Sequence, residues 1–393
     1  MNSRAEQSRN VPQLRFPEFV GEWEMKKLGE VCNEHQLKNK NKETNEVFSV
    51  AKHKGVINQI EHLGRSFSAK EILHYKLIFP GDLVYTKSPT SDFPFGIIKQ
   101  NRTERIGVVS PLYCVFKPKT FALGYLLHEY FKSAINTYNY LSPLVQKGAK
   151  NTMNINNDDF LNGAGLLLPM NEPEQTRIAN FLTAVDEKIQ ALKKKKGLLE
   201  AFKKGVMQRL FSQELRFKDE NGQAFADWEV KKLGEVAKIY QSKTITQSEL
   251  TKEGFDVYGA NGIIGKYPKY NHELEQIAIT CRGNTCGTVN YTNPKSWITG
   301  NAMVINVDEK VTVLKKFLFH QLYNSNFGYL ISGSGQPQIT GNIKEHIVFL
   351  PSLPEQTLIA NFLSAIDDKI KHTAVQIEKT EGWKKGLLQR MFC

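Results

Sequence analysis

Residues 173–190 read PEQTRIANFLTAVDEKIQ and residues 354–371 read PEQTLIANFLSAIDDKIK, so that 13 of 18 positions are identical at a constant offset of 181. The same offset places KKGVMQRLF, which starts at Lys203, on KKGLLQRMF, which starts at Lys384. A match without gaps from residue 173 to residue 211 is an internal repeat, and a repeat decides the architecture before any local pattern does. The chain therefore consists of two halves built on one frame.

A second repeat stands at the front of each half. WEMKKLGEV begins at Trp23 and WEVKKLGEV begins at Trp228, and the tripeptide LRF precedes both, at Leu14 and at Leu215. Between these front tags and the PEQ segments, the two bodies share almost no residue identity. The order within each half is therefore a front tag, a variable body and a long helix.

The two bodies nevertheless agree in their coarse pattern, in which short apolar runs between Gly and Pro predict strands. The first body has strands in LIFPGDLVY and GVVSPLYCVF, a helical pattern from Leu123 to Tyr138, a loop near Gly148 and a strand GLLLP that ends at Pro169. The second body has strands in AITCRG, GTVNYT and AMVINV, a helix near residues 313–331, the loop SGSGQPQ and a strand IVFLP. Each body is therefore predicted to mix α and β structure.

After each PEQ segment, apolar residues recur at alternating steps of three and four, a heptad pattern typical of a coiled coil. The seam residues are Ile178, Leu182, Val185, Ile189 and Leu192 in the first repeat, and Ile359, Leu363, Ile366, Ile370 and Ile377 in the second. A helix of roughly 39 residues spans ~58 Å, more than a small domain needs. We expect the two helices to pack on each other as a spacer, antiparallel if a two-fold axis relates the halves. The alternative is that each helix packs on its own body.

Composition places the chain among globular proteins that meet a polyanion or an acidic partner. Its 393 residues are 40% apolar, which suits about two conventional cores, and its formal charge is +12 with a pI near 9.2. Basic proteins of other classes share this charge, so it does not by itself decide for nucleic acid.

The cysteines and the chain start bear on the compartment. Five cysteines are scattered along the chain, and only Cys281 and Cys286 lie close together, without a set of zinc ligands nearby. They are interpreted as free thiols in a reducing cytoplasm. The polar start MNSRAEQSRN lacks the apolar core of a signal peptide, and no apolar run approaches the ~20 residues that cross a bilayer. The sequence therefore predicts a soluble, cytoplasmic protein.

Over essentially its whole length the chain resembles the specificity subunit of type I restriction-modification systems. The motifs that carry the resemblance are the two PEQxxIANFLxAxDxKI segments, the two KKGxxQR helix ends and the two WExKKLGEV tags. The resemblance implies an α+β fold with two mixed α/β target recognition domains, joined by two long antiparallel coiled-coil helices in a pseudo-two-fold repeat. The implied boundaries are residues 1–165 and 214–350 for the recognition domains, and residues 166–213 and 351–393 for the spacer helices.

The resemblance also implies a function and partners. Each recognition domain is expected to read one half of a bipartite, asymmetric double-stranded DNA target. The helices are expected to dock two methyltransferase subunits, with restriction and translocase subunits joining in the full complex. The chain itself is expected to bind no cofactor and no metal. S-adenosylmethionine, ATP and Mg are expected on the partner subunits of an adenine-N6 methyltransferase and endonuclease complex.

No catalytic residues are predicted. Asn293-Pro294-Lys295-Ser296 lacks the second proline and the aromatic residue with which adenine methyltransferases hold a flipped base, so it is interpreted as a turn. GANGIIGKY, from Gly259, has the wrong glycine spacing for a phosphate loop and Tyr267 in place of Ser or Thr, and is interpreted as a strand-turn-strand. Two other functions remain open from the residues alone, a coiled-coil adaptor without a DNA role and a remnant of a single-chain methyltransferase-nuclease.

DNA-reading loops combine cations that bind phosphate with amides or arginine that reach base edges. The candidates are Lys87, Ser88, Lys147, Lys150 and Asn151 in the first body, and Lys243, Asn261, Arg282, Asn284, Gln336 and Gln338 in the second. The alternative for each is a solvated loop. Lys150 and Arg282 are preferred because each lies in a loop with Gly and Asn at the matching edge of its body. The run Lys193–Lys196 lies mid-helix, where it faces either DNA between the half-sites or solvent.

Overall fold

A computed structural model describes residues 10–52, 54–69, 71–147, 153–260, 262–333 and 335–392. The chain divides into two compact units, unit 1 with residues 1–191 and 377–393 and unit 2 with residues 192–376. Each unit therefore contains one body, part of the helix that follows it and part of the helix of the other repeat. No helix in the described ranges is both long and apolar enough to span a membrane.

The body of unit 1 is built on a four-stranded antiparallel sheet of order β2-β9-β6-β7, with smaller strand pairs β1-β12, β3-β4, β5-β8 and β10-β11. Its elements are β1 (Glu24–Lys26), α1 (Leu28–Val31), β2 (Cys32–Glu34), β3 (Phe48–Ala51), β4 (Gly55–Asn58), α2 (Gln59–Leu63), β5 (Lys76–Ile78), β6 (Leu83–Thr86), β7 (Ile97–Gln100), β8 (Gly107–Val109), β9 (Cys114–Pro118), α3 (Phe121–Tyr130), α4 (Ala134–Leu141), β10 (Gln146–Lys147), β11 (Met153–Asn154), α5 (Asn157–Leu161), β12 (Leu166–Leu168) and the start of α6 (Glu172–Phe211).

Unit 2 repeats this plan with a four-stranded antiparallel sheet of order β14-β20-β17-β18, beside the sheet β16-β15-β19 and the pair β13-β21. Its elements are the rest of α6, β13 (Glu229–Lys232), α7 (Leu233–Val236), β14 (Lys238–Gln241), β15 (Phe255–Gly259), β16 (Gly262–Tyr267), β17 (Ile277–Thr280), β18 (Val289–Tyr291), β19 (Trp297–Ile298), β20 (Ala302–Asn306), α8 (Lys315–Asn324), β21 (Ile347–Leu350) and the start of α9 (Leu353–Met391). GANGIIGKY is the predicted strand-turn-strand, in which Gly259 of β15 pairs with Gly262 of β16.

The helices of the bodies differ from the sequence expectation in length. The predicted helix from Leu123 to Tyr138 is two helices. The Ser133 hydroxyl accepts a hydrogen bond from the backbone N–H of Asn136 and so caps the start of α4. In unit 2 the predicted helix near residues 313–331 is confined to α8, residues 315–324.

The long helices α6 and α9 pack antiparallel within each unit. In unit 1, Ile178 and Leu182 of α6 lie in one core cluster with Met391 of α9. Further along α6, Asp186 accepts a hydrogen bond from Lys384, so the residue numbers of the two helices run in opposite directions. In unit 2, the cluster that contains Leu210 of α6 also contains the first turns of α9.

The same helix segments also pack on the bodies, so both packing modes considered for the seam are present. Trp23 and Tyr125 of unit 1 share the cluster of Ile178, and Trp228 and Phe317 of unit 2 share the cluster of Ile359. Burial of the seam follows this packing. Ile178, Leu182, Val185, Ile189, Ile359, Leu363 and Ile366 are buried, whereas Leu192, Ile370 and Ile377 are half-buried.

Lysines that interrupt the heptad pattern form equivalent ion pairs in the two units. Lys203 donates to Asp367 at 2.6 Å in unit 2, and Lys384 donates to Asp186 at 2.8 Å in unit 1. Both lysines and both aspartates are related by the repeat offset of 181. Burial alone would lower the pKa of Lys384, but Glu129 and Asp186 raise it. The lysine therefore stays charged within the seam.

The front tags and the PEQ segments meet at a buried carboxylate in each unit. In unit 1, Arg15 of LRF donates to both oxygens of Glu174 at 2.6 and 2.7 Å, and the indole of Trp23 donates to the same carboxylate at 3.1 Å. In unit 2, Arg216 donates to both oxygens of Glu355 at 3.1 and 2.8 Å, and the indole of Trp228 donates at 3.1 Å. We call each set an Arg–Glu–Trp network.

The glutamine of each PEQ segment anchors the helix start to the end of the body. The amide of Gln175 donates to Pro169 O at 2.8 Å, and the amide of Gln356 donates to Pro351 O at 2.9 Å. The carbonyl of Gln175 accepts from the Thr120 hydroxyl, where α3 begins. These bonds fix the direction in which the long helix leaves the last strand.

In both units the front tag lies at the end of a long helix. In unit 2 the tag follows that helix in sequence, whereas in unit 1 the two segments are distant in sequence. Leu215 N donates to Arg209 O at 2.9 Å, directly after α6. In unit 1, Leu14 N donates to Arg390 O at 2.9 Å, at the end of α9. The tag at Leu14 thus meets α9 through the same backbone bond with which the tag at Leu215 meets α6.

The Arg–Glu–Trp network yields a stability prediction. Glu355→Ala is expected to lower the free energy of unfolding of unit 2 by about 3 kcal/mol, because it leaves Arg216 and the Trp228 indole without their buried acceptor. Thermal unfolding followed by tryptophan fluorescence should show an earlier transition. Glu378→Ala removes an exposed carboxylate from the same helix and should change stability by at most about 0.5 kcal/mol. Equal unfolding profiles for the two variants would contradict the proposed contribution of the network to stability.

Candidate nucleic-acid interface

The candidate residues of unit 2 gather at one end of its four-stranded sheet. Strands β14 and β17 end there, at Gln241 and Thr280, and β20 begins there, at Ala302. Antiparallel pairing puts the carboxyl end of one strand beside the amino end of its neighbour. Loops that are distant in sequence therefore emerge side by side.

The loop after β17 is hydrogen-bonded to the loop that carries Gln336 and Gln338. Gly283 N donates to Pro337 O at 2.9 Å, and Ile339 N donates to Cys281 O at 3.0 Å. Gly283 has φ +87°, a left-handed conformation that favours glycine, and this lets the loop turn back toward Pro337. Arg282 and Gln338 are consequently bridge partners across the two loops.

The β15–β16 hairpin joins the same surface. The hydroxyls of Thr280 and Thr285 both donate to Ala260 O, at 2.9 and 2.6 Å. The hairpin turn is thereby held against the Arg282 loop. Asn261, the candidate in this turn, lies outside the described residues.

Lys243 follows β14 at the same end of the sheet. Its carbonyl accepts from the Trp297 indole at 3.2 Å, and the nearby Gln241 amide donates to Cys281 Sγ at 3.0 Å. The exposed side chains of this end, which we call the unit 2 loop surface, are Lys243, Arg282, Asn284, Gln336 and Gln338.

The unit 2 loop surface has the side chains that direct base reading needs. Arginine can form a bidentate pair with guanine, and asparagine or glutamine can form one with adenine. Within the described part of the chain, neither Arg282 nor Lys243 has an acidic group within ion-pair distance. Their charges are thus available to an external anion.

Thiols beside this surface are poorly suited to metal binding or nucleophilic chemistry. Burial raises the pKa of Cys281 and of Cys286, so both thiols stay protonated near neutral pH. Across the residues that the structure describes, no three His, Cys, Asp or Glu side chains form a metal-binding group.

The unit 1 candidates are only partly described. Lys87 and Ser88 follow β6 where Cys281 and Arg282 follow β17, so they occupy the matching end of the sheet. Burial raises the pKa of Cys114 at the start of β9, and the positive charge of Lys87 opposes that rise. Lys87 is therefore close to this strand end.

The other unit 1 candidates belong to the loop between β10 and β11. The backbone of Lys147 pairs with Met153, but its side chain is outside the described part. Lys150 and Asn151 also lie outside the described residues. The preference for Lys150 therefore stays a prediction.

One basic feature of unit 1 escaped the sequence analysis. A cleft of about 620 Å³ lies between the body and the first half of α6. The cations that line it are Lys52, Lys54, Lys99, Arg102 and Lys132. The only signal in the sequence was a lysine inside the apolar strand segment FGIIKQ, at Lys99.

Comparisons with known proteins agree with the fold and the motifs. The family model for the type I restriction modification DNA specificity domain matches residues 226–380. The putative type I restriction enzyme MjaX specificity subunit of Methanocaldococcus jannaschii is 31% identical over 293 residues, which cover 69% of this chain and 67% of the relative. The EcoprrI specificity subunit of Escherichia coli is 29% identical over 143 residues, and the match spans 35% of this chain and 35% of that relative.

A solved structure extends the likeness in fold to the whole chain. The S subunit of the type I restriction-modification system from M. genitalium has a TM-score of 0.65, with 98% of this chain and 99% of that chain covered at 15% identity. At this identity the likeness shows the fold alone. The identity and coverage shared with the M. jannaschii relative, together with the repeated motifs, show the family: the chain belongs to the specificity subunits of type I restriction enzymes.

Proposed function

We propose that the chain reads a bipartite, asymmetric DNA target, with each unit reading one half through the loops at the end of its four-stranded sheet. The DNA sequence-specificity role comes with the family. The observation that carries the finer proposal is that two units with equivalent frames present unlike loop surfaces. Arg282 and Asn284 follow β17 in unit 2, where Lys87 and Ser88 follow β6 in unit 1.

Equivalent frames also support the docking of partners. The Arg–Glu–Trp network and the lysine–aspartate pair recur in both units, so each unit offers the same type of long-helix surface to a partner. We propose that two identical methyltransferase subunits bind these surfaces, and that restriction and translocase subunits join them in the full complex. In this proposal S-adenosylmethionine, ATP and Mg are bound by the partner subunits, which modify adenine at N6, and the chain itself is non-catalytic.

The long helices are proposed to set the distance between the two half-sites. Helix α6 has 40 residues and α9 has 39. At about 1.5 Å per residue, each is long enough to separate two readers by several base pairs of about 3.4 Å. The unread gap of the target would then be a property of the helices rather than of the loops.

Methylome sequencing of a host that carries this chain with its methyltransferase subunits tests the proposed function. We expect one class of methylated adenine motifs, made of two unlike half-sites with a fixed gap, and we expect the motif to vanish when the gene for this chain is deleted. A motif that persists without the chain would exclude the reading role. A single undivided motif would exclude the bipartite target.

Arg282 offers a test of reading by unit 2. Arg282→Ala is expected to relax or abolish recognition in one half-site only, at a cost of about 1 to 3 kcal/mol if the contact with guanine is bidentate. Binding to cognate duplex and to duplexes with single substitutions in each half-site measures this.

Arg282→Lys is the matched control, because lysine keeps the positive charge but lacks the planar fork of arginine. We expect it to lose base discrimination and to keep affinity for nonspecific duplex. An equal loss of affinity for cognate and nonspecific DNA in Arg282→Ala would make Arg282 a phosphate contact instead.

The spacer proposal predicts a change in the gap alone. Deleting one heptad from the middle of each helix, residues 192–198 and residues 372–378, removes ~10 Å of helix length, which corresponds to about three base pairs. Methylome sequencing should show a shortened gap between unchanged half-sites. Altered half-sites with an unchanged gap would contradict the spacer role.

A further inference from the structure

The basic cleft of unit 1 lies beside β7 and α3 and is closed on one side by α6. Lys99 on β7, His128 and Lys132 on α3 or just after it, and Asp186 on α6 all line it. Among the described residues, the charged side chains in its wall are Lys52, Lys54, Lys99, Arg102, Lys132, Asp186 and Glu187. Within this set, five cations face two carboxylates.

Among the described residues, Lys99 is a buried lysine whose ammonium has no hydrogen-bond or ion-pair partner. It is 2% exposed and lies on β7, the edge strand of the four-stranded sheet, where its backbone pairs with Val84 of β6. Its ammonium makes no hydrogen bond and no ion pair with any residue of the described ranges. A lysine that is buried along its length but has no protein acceptor for its ammonium depends on a partner from the cleft.

The carboxylates near Lys99 are already engaged by other cations. Glu129 contacts Lys132 at 3.2 Å and Lys384 at 2.9 Å. Asp186 contacts Lys384 at 2.8 Å and Arg102 at 3.4 Å. Burial and the charge of Lys132 lower the pKa of Lys99 to about 8 despite the opposing effect of Glu129. The cluster therefore has an excess of positive charge, and an anion would relieve it.

His128 adds a neutral donor to the same wall. Its Nδ1 accepts from Gln100 N at 3.1 Å, which puts the ring hydrogen on Nε2. Burial, followed by the charges of Lys99 and Lys132, lowers the pKa of His128, so the imidazole stays neutral. Its Nε2 lies 4.0 Å from Glu129 Oε1, so the ring adds no positive charge of its own to the wall.

The buried lysine of the cleft has no lysine counterpart in unit 2. In its sheet Val84 of β6 pairs with Lys99 of β7, and at the matching place in unit 2 Ala278 of β17 pairs with Asn290 of β18. The segment YLLHE of α3, residues 125–129, aligns with FLFHQ of α8, residues 317–321, which sets Glu129 against the neutral Gln321. Unit 2 is therefore built with neither the buried lysine nor the neighbouring carboxylate.

We propose that this cleft binds a phosphodiester group of the DNA backbone, with Lys99 as its buried cation and Lys132 and Arg102 at its rim. The inference rests on the proposed function and adds a sequence-independent contact made by unit 1 alone. Several cations that line an open cleft can bind a polyanion. Lysine and arginine bind the phosphates of DNA, and counterions are released when they do. Such a contact positions the duplex and carries no sequence information.

The test compares Lys99→Gln with wild type by fluorescence anisotropy of labelled duplex DNA at several salt concentrations, using the full chain with its methyltransferase subunits. One lost phosphate contact lowers the slope of log K against log salt by about 0.9. Between about 50 and 200 mM salt, wild type should therefore lose about three- to fourfold more affinity than the variant. The loss should be the same for cognate and nonspecific duplex.

Lys117→Gln is the matched control, because it removes the same charge from an exposed position on strand β9 of the same sheet. Lys132→Gln provides a second variant at the rim of the cleft, should Lys99→Gln fail to fold. We expect a reduced slope for Lys99→Gln and Lys132→Gln, and a wild-type slope for Lys117→Gln.

Three outcomes would overturn the inference. If wild type binds duplex but both cleft variants keep its salt slope, the cleft is not a backbone site and the proposed function is unaffected. If inorganic phosphate raises the melting temperature of wild type but not of Lys99→Gln while duplex binding is unchanged, the cleft takes a free anion instead. If wild type binds no duplex at all, the proposed function fails together with this inference.

Discussion

The fold depends on one buried interaction, which occurs twice. Glu174 and Glu355 are 1% and 0% exposed, and each holds the arginine of a front tag and the indole of the following tryptophan. Burial of a carboxylate is costly unless its oxygens accept hydrogen bonds. The helix start can therefore be buried only together with the front tag, which supplies the donors. This constraint explains why LRF, WExKKLGEV and PEQ recur while the bodies between them diverge. It also explains why the tag at Leu14 packs at the end of α9, with which it is not continuous in sequence.

The frame and the candidate loops are physically separable because they lie at opposite ends of the same strands. In unit 2, β14 begins at Lys238 directly after α7, where its partner β20 ends at Asn306. It finishes at Gln241, where the unit 2 loop surface begins. The networks that hold the helices therefore place few demands on the loops, and the loops can change without disturbing burial at the other end.

Much of the architecture could be predicted from the sequence, because repeats and heptads are local patterns with a known period. The long helices and the strand-turn-strand at Gly259 follow from such patterns. The ion pair of Arg15 with Glu174 could not be predicted, since it joins residues 159 positions apart and depends on the completed fold. The placement of Lys243 and Arg282 at one end of the sheet likewise depends on the strand order β14-β20-β17-β18, which is not the order in sequence. The break between α3 and α4 was missed because the apolar pattern continues through the cap at Ser133.

Two kinds of buried lysine occur in the chain, and the difference between them bears on the proposed contact with DNA. Lys203 and Lys384 lie in the seam and are matched by aspartates in both units, so their charges serve the frame. Lys99 has no such match, and its counterpart in unit 2 is the neutral Asn290. Burial disfavours the charge of Lys99, and only unit 1 has a lysine at this place. Binding of an external anion would explain why a lysine is found there. Unit 1 would then hold the backbone more strongly, while unit 2 relies more on the amides and the arginine of its loop surface. The asymmetry of the target would in that case extend from the bases that are read to the way each half is held.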